Sequence, residues 1–598
     1  MFVPTYIQPV SSFLNFVLFE TKTHSRNYMA TQTRALVPWS NGTTFPAEVL
    51  CQIFIALLNA HSSELEDEDM LALPYIMDVD SVVSASQVCQ YWRNVALSYR
   101  RLWARMIDID HHDDPEWIKL LLERSGSNSL IIQSQQSRHG YGPDYSSPQW
   151  QLIFDELHRI KVLHIVMSSN FLGQIPNVSR IIFLMLRPAP VLESFRLSFR
   201  KRINDGNRRL PESINVSGFD RPLFAGVAPK LCDLVLQGFA ITEPRSIFSS
   251  VPGTKLTHLH LDHGARSRVN YPASFWLCIL EQQPHLEHLV MASNIFSPYT
   301  GRNHSPRQTM VRLPNLQHFE LACCDVDCAE ILTRLSFPDA CALVLKLQYT
   351  GIAPETTTQA ILSRLGKCFR SWIPAQRSCM HWRFASDNNG FKITAIRDHD
   401  DRLGHNPQFV LQHDIAVYVQ SEPVESTIFE DCIDLLRESG VMQPTTALTF
   451  RHYGSLRREL LLAFTPLLKS CNNVRKLTLR SDETVTDFIT TILAGDAAGC
   501  ILLPKLEMLD LDRVYALDRF MENLNGYILW RSTVDKPLKD LAFTLHDFKN
   551  RALLVHGYPC ISRIARVQEF FGDLQGYEAS PASPRRWLYN FSPDENRF

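Results

Sequence analysis

Three histidines recur at one place in three successive copies of a short apolar pattern. His258, His288 and His318 each stand just before the second apolar residue of a Leu-x-x-apolar-x-apolar unit. If each unit is a strand, side chains alternate in direction and this column faces away from the leucines. Parallel neighbours would then stack the imidazoles about 4.8 Å apart per step. His260 and Asp262 share that face in the first of the three copies. These five residues are the candidate substrate-facing set. The simpler reading is a common variant of the unit with solvated rings. The sharper reading is a pH-sensitive contact surface, because rings this close resist simultaneous protonation and a bound acidic segment favours it. A metal centre is the weaker alternative, since no second shell can be argued for these rings.

Other chemistry is sparse. Cys323-Cys324-x-x-x-Cys328 has no histidine nearby at zinc spacing and reads as turn and core packing. None of the 14 cysteines forms a CxxC pair, which argues against a zinc ribbon or a thioredoxin-like site. Scattered thiols at apolar positions fit reduced core cysteines, hence a cytoplasmic or nuclear location. The run Arg200-Lys201-Arg202 with Arg208 and Arg209 is a solvated loop, a phosphate contact or a nuclear address; Asp205, Gly206 and Asn207 favour the loop. Phosphate-binding loops, dinucleotide fingerprints, H-E-x-x-H and G-x-S-x-G are all missing. No catalytic residue, metal or cofactor is therefore expected, and no enzymatic activity.

The 598 residues exceed one ordinary core and fit three to four domains, or a small domain followed by a long repeat array. A formal net charge of -2 gives no global attraction to nucleic acid or anionic membrane, so neither is an expected partner. No apolar run approaches the ~18 residues of a membrane span. The run Phe13 to Phe19 has no basic residue before it and meets Glu20 and Lys22, unlike a signal peptide. Residues 1–44 read as a disordered leader, with Met1 or Met29 as the native start.

The elements that must position the histidines come from the repeated unit itself. It occurs as Leu192/Phe195/Leu197, Leu231/Leu234/Leu236, Leu256/Leu259/Leu261, Leu286/Leu289/Met291 and Leu316/Phe319/Leu321. After a gap follow Val474/Leu477/Leu479, Leu506/Leu509/Leu511 and Leu538/Leu541/Phe543. Helix-like stretches such as Phe275 to Glu281 and Phe488 to Leu493 lie between copies. A strand followed by a helix at this period resembles a degenerate leucine-rich repeat. The alternative is a globular α/β domain with similar buried strands. Pro115 to Ser125 reads as a helix stopped by Gly126.

Residues 45–105 carry the most specific pattern. Phe45-Pro46-Ala47-Glu48 opens a helix whose Val49, Leu50, Ile53, Phe54 and Leu57 fall at helical spacing. A second amphipathic stretch runs from Val82 to Ala96 and contains Val88-Cys89-Gln90-Tyr91-Trp92-Arg93; Leu102-Trp103 closes the segment. The acidic run Glu64 to Asp69 falls in the insert between the two stretches. These motifs in this order resemble the F-box family, and the insert resembles its mushroom-type fungal members. Phe45 stands where that family usually has leucine.

The resemblance implies a substrate-recognition subunit of a Skp–cullin–F-box ubiquitin ligase, which binds a Skp-type adaptor, cullin through it, and an unknown protein substrate. A scaffold that does not direct degradation is the alternative. The implied adaptor contacts are Phe45, Pro46, Val49, Leu50, Ile53, Phe54, Val88, Trp92, Leu102 and Trp103. The expected fold class is α/β overall: a small all-α F-box, then an irregular leucine-rich-repeat-like α/β solenoid with parallel strands on one face and helices on the other. Boundaries are expected at 1–44 for the leader, 45–105 for the box, and 106–155 for a linker and leading repeat. The array follows over 156–347, an irregular or inserted β-rich region over 348–445, continued array over 446–567 and a disordered tail over 568–598.

Overall fold

A computed structural model describes residues 45–545 with breaks; residues 1–44, 59–78, 546–598 and a number of shorter segments lie outside the described residues. The leader, the acidic run, the tail, the stretch Phe488 to Leu493 and most of the basic run around Lys201 fall there.

The described residues begin with the helices α1 (Ala47–Leu58), α2 (Val79–Ser86), α3 (Gln90–Ser98), α4 (Arg100–Trp103) and α5 (Pro115–Ser125). The amphipathic stretch Val82 to Ala96 falls on two helices, α2 and α3. The break falls at Gln87-Val88-Cys89, where Ser86 donates its hydroxyl back to the Val83 carbonyl at 2.7 Å. Cys89 then caps α3, its sulfur accepting from the Trp92 amide at 3.5 Å. Helix α5 ends as expected: Gly126 takes φ +56, a left-handed conformation that glycine adopts without a Cβ penalty.

From Leu130 onward the described residues form a sheet of 15 strands with helices on the connections. Its strands are β1 (Leu130–Ser134), β2 (Ile160–Ser168), β3 (Ser194–Arg200), β4 (Asp233–Gln237), β5 (His258–Asp262), β6 (His288–Met291), β8 (His318–Cys324), β10 (Ala342–Gln348), β11 (Met380–Asp387), β12 (Gly390–Arg397), β13 (His413–Gln420), β14 (Thr445–Tyr453), β15 (Lys476–Arg480), β16 (Met508–Val514) and β17 (Asp540–Leu545). Strands β7 (Val311–Arg312) and β9 (Leu335–Ser336) pair separately. The connecting helices include α6 (Pro148–Asp155), α7 (Pro244–Ser249), α8 (Ala273–Leu280), α9 (Asp325–Arg334), α10 (Glu355–Ala375), α11 (Ser426–Ser439), α12 (Arg458–Ser470) and α13 (Asp518–Thr533).

In all eight copies of the apolar unit the second and third apolar residues lie on strands of this sheet, and the first stands two residues before the strand. Their second apolar positions align in register from Phe195 through Leu234, Leu259 and Leu289 to Phe319, and again from Leu477 through Leu509 to Leu541. These side chains are buried in one continuous core with helix residues such as Trp276, Leu277, Ile331 and Leu332. The alternation of strand side chains leaves the intervening residues on the opposite, polar face.

Two features of the sheet bear on the expected boundaries. The sheet starts at Leu130, inside the segment expected as linker and leading repeat. Residues 348–445, expected as irregular or inserted and β-rich, supply three strands of the same sheet, one of them antiparallel. Strand order runs β10-β13-β12-β11-β14, with β12 antiparallel to both neighbours. The pairing Asp387↔Gly390 leaves two residues for the β11–β12 turn, the length of the tightest hairpin. That hairpin sends β12 back, and β13 then closes the gap beside β10. The fold class is α/β, as expected, with this local departure from an all-parallel sheet.

Candidate functional site

On α1, Leu50, Ile53, Phe54, Leu57 and Leu58 are buried. Their spacing makes one helical stripe, and it packs on Val82 and Ala85 of α2, Val95 and Ala96 of α3, and Leu102 and Trp103 of α4. Phe54 meets the edge of Trp92 with ring centroids 5.9 Å apart. The Trp103 indole donates to the Ala96 carbonyl at 2.9 Å. The Tyr91 hydroxyl donates to the Phe45 carbonyl at 3.1 Å and ties the start of α1 to α3.

This packing sorts the ten residues expected at an adaptor contact. Leu50, Ile53, Phe54, Leu102 and Trp103 are interior. Leu50 and Ile53, expected together with Pro46 and Val49 to meet a partner helix, lie in the module's own core, because so small a unit must spend apolar side chains on itself. Pro46, Val49 and Val88 are exposed, and Phe45 and Trp92 are half-buried. Val49 keeps 37% and Val88 45% of their surface, joined by Tyr91 at 38% and Leu97 at 43%, two residues that helical spacing did not single out.

Residues 44–108 match the F-box-like family. The N-terminal module is an F-box-like domain. Domains of this family generally bind Skp-type adaptors. The match ends before the sheet begins, and no curated protein matches the chain.

The F-box-like domain joins the sheet directly. Arg124 of α5 lies over the Trp103 ring, 4.5 Å from its centroid. The Ile131 amide donates to the Ala104 carbonyl at 3.0 Å, so the chain just after α4 supports β1. A Cβ on Gly126 would approach the Arg100 side chain to 3.3 Å.

The second candidate surface is the polar face of strands β1 to β10. His258, His288 and His318 are register partners. The first two rings stack at 4.3 Å, nearly parallel; the next pair lies at 6.0 Å and tilted. The rings are half-buried rather than fully solvated, and His260 is buried. Burial, then His258 and His318, push His288 down to about 4. Burial likewise lowers His260 and His318. Burial would raise the Glu320 carboxyl, but the Lys346 ammonium at 2.7 Å outweighs it and holds it below the usual value.

The same face carries a network that the repeat pattern did not bring out. His164 Nε2 lies 2.8 Å from Ser194 Oγ, Ser194 donates to Asp233 Oδ2 at 2.5 Å, and Arg196 Nε donates to the same oxygen at 2.8 Å. Since the serine proton is given to Asp233, His164 Nε2 must be the donor to Ser194. Burial, then Arg196, bring His164 down to about 4 against the opposing pull of Asp233. The order is the reverse of an activated nucleophile, where histidine accepts from serine. A signal existed: Ser194 and Asp233 occupy, in the two preceding copies, the very position of His258.

Cys323 and Cys328 are buried core residues, and Cys324 donates its thiol to Asp327 at 3.0 Å. Among the described residues no cluster of metal-ligating side chains occurs, and no helix is long and apolar enough to cross a membrane.

Proposed function

We propose that this protein is the substrate-recognition subunit of a Skp–cullin–F-box ubiquitin ligase. Val49, Val88, Tyr91 and their neighbours dock the adaptor, cullin follows through it, and the 15-stranded sheet holds a target protein. The protein has no chemistry of its own; a separate enzyme transfers ubiquitin to a target that is held in place, an effect of proximity. Work of this kind belongs in the cytoplasm or nucleus.

The observation that carries the reading is the direct union of the F-box-like domain with the sheet through Trp103–Arg124 and Ala104–Ile131. A rigid joint fixes the distance from adaptor to target, and fixed geometry is what proximity requires. The sheet supports the second half of the reading as a long face, polar on one side and anchored by helices on the other. The test is an affinity pulldown of the full chain from native cells with and without proteasome inhibition. Adaptor and cullin in both samples, with further proteins enriched only under inhibition, is the expected result. Adaptor without cullin and without inhibitor-dependent proteins would favour a scaffold that does not direct degradation.

A further inference from the structure

Four buried polar atoms on the polar face find no hydrogen-bond partner among the described residues: Gln133 Oε1, His164 Nδ1, Asp233 Oδ1 and His260 Nδ1. All four residues are about nine-tenths buried or more. Buried polar atoms are normally satisfied, so a group of orphans on one face asks what satisfies them. The register places them together. Gln133 pairs with His164 across β1 and β2, and Asp233 lies one strand from the His258–His260 segment. Ser194 and Arg196 sit between the two halves on β3.

The type of these atoms is set by the network around them. His164 uses its Nε2 proton on Ser194, so in the neutral ring Nδ1 is a bare acceptor. Gln133 Oε1 and Asp233 Oδ1 are acceptors by their chemistry. Three of the four orphans therefore call for a donor, and the fourth is an imidazole that can serve either way. Among the described side chains of this face, the cations Arg196 and Lys346 are engaged: Arg196 by Asp233 at 2.8 Å and Lys346 by Glu320 at 2.7 Å. Asp262 adds a third carboxylate, so the face carries Arg196 and Lys346 against Asp233, Asp262 and Glu320. Recognition of a phosphorylated or acidic segment uses free arginines, which the described side chains of this face do not offer.

We propose that the polar face from β1 to β5 is a binding site for an extended, unphosphorylated peptide segment with basic side chains, a cationic group of which donates to Asp233 Oδ1 while further donors reach Gln133, His164 and His260. The proposal rests on the reading that this sheet holds the target and names the target's chemistry. Four strand spacings separate β1 from β5, about 19 Å, the reach of about six extended residues lying across the strands. The column His258, His288 and His318 continues the face toward β8, and burial there disfavours the charged form of His288 and His318.

The test uses the full chain co-purified with its Skp-type adaptor and three fluorescein-labelled peptides of about eight residues. One alternates serine with arginine, one serine with glutamine, and one phosphoserine with glutamate. Fluorescence anisotropy at neutral pH is expected to rank the arginine probe tightest and the phosphorylated probe weakest. Asp233→Asn should weaken the arginine probe roughly tenfold or more. Because that change also disturbs Arg196, Gln133→Leu serves as a second variant; it removes an acceptor and leaves the ion pair intact, and it too should weaken binding. Preference for the phosphorylated probe, no binding of the arginine probe, or an affinity unmoved by both folded variants would overturn the proposal. Adaptor retention is measured on the same preparation. Its loss would strike the ligase reading, whereas peptide failure with the adaptor retained strikes only this inference.

Discussion

The Ile131 amide donates to the Ala104 carbonyl at 3.0 Å, so the sheet's first strand is hydrogen-bonded to the end of the F-box-like domain. Beside this bond the Arg124 guanidinium covers Trp103, whose indole is anchored on Ala96. The domain and the sheet share one buried core rather than a tether.

That joint predicts shared stability. Trp103→Ala removes a buried ring and the seat of Arg124, and should destabilise by about 3–5 kcal/mol. Calorimetry should show the sheet's own transition moving down with the domain's. A sheet transition unmoved by this change would mean that the two parts fold independently. Gly126→Ala, at φ +56 beside Arg100, should lower the same transition by about 1 kcal/mol.

Adaptor affinity should separate the exposed residues from the interior ones. Val49→Glu and Val88→Glu should each leave the unfolding midpoint nearly unchanged and weaken adaptor binding at least about tenfold, since each buries a charge in an apolar contact. Leu50→Asp should instead unfold the domain, as Leu50 is fully buried. Surface plasmon resonance on proteins checked by circular dichroism decides. Full affinity in the Val49 and Val88 variants would move the docking surface elsewhere.

Acid should destabilise the protein through His164. Its folded pKa of about 4 lies below the ordinary 6.5, so the unfolded chain binds more protons between those values. The stability it contributes is therefore present above about pH 6.5 and lost as pH falls toward about 4. The loss for His164 is on the order of 1–3 kcal/mol. Urea midpoints measured across this window should fall with pH, and His164→Gln should flatten the fall. An equal slope in the variant would show that other groups dominate.

Arg531 predicts a large effect from a change that keeps the charge. It is fully buried near the C-terminal end of the sheet, with Nε donating to the Lys536 carbonyl at 2.8 Å. Its two terminal nitrogens face the carbonyls of Leu502, Leu503 and Leu506 at 3.3–3.5 Å and the Tyr527 hydroxyl at 3.1 Å. A lysine cannot reproduce the planar fork. Arg531→Lys should lower stability by about 2–4 kcal/mol, read from the urea midpoint. A shift below about 0.5 kcal/mol would mean that the carbonyls are satisfied without the fork.

Much of this protein is legible in its sequence, and for identifiable reasons. Strand alternation is local, so the repeated pattern alone assigns Leu259, Leu289 and Phe319 to the core and His258, His288 and His318 to the other face. The three ordered motifs around Pro46, Cys89 and Leu102 suffice to recognise the F-box-like domain. What escapes is set at long range. Whether Leu50 or Val49 faces outward depends on how α3 and α4 close over α1, and a helix with apolar residues on two sides does not reveal which side its own domain claims. The strand order β13-β12-β11 depends on where a tight hairpin returns the chain, and pairing between strands far apart in sequence leaves no local trace. The acceptors Gln133, His164 and Asp233 lie on three strands spread over about a hundred residues. Only parallel register, which places every second side chain of each strand beside that of the next, brings them onto one face.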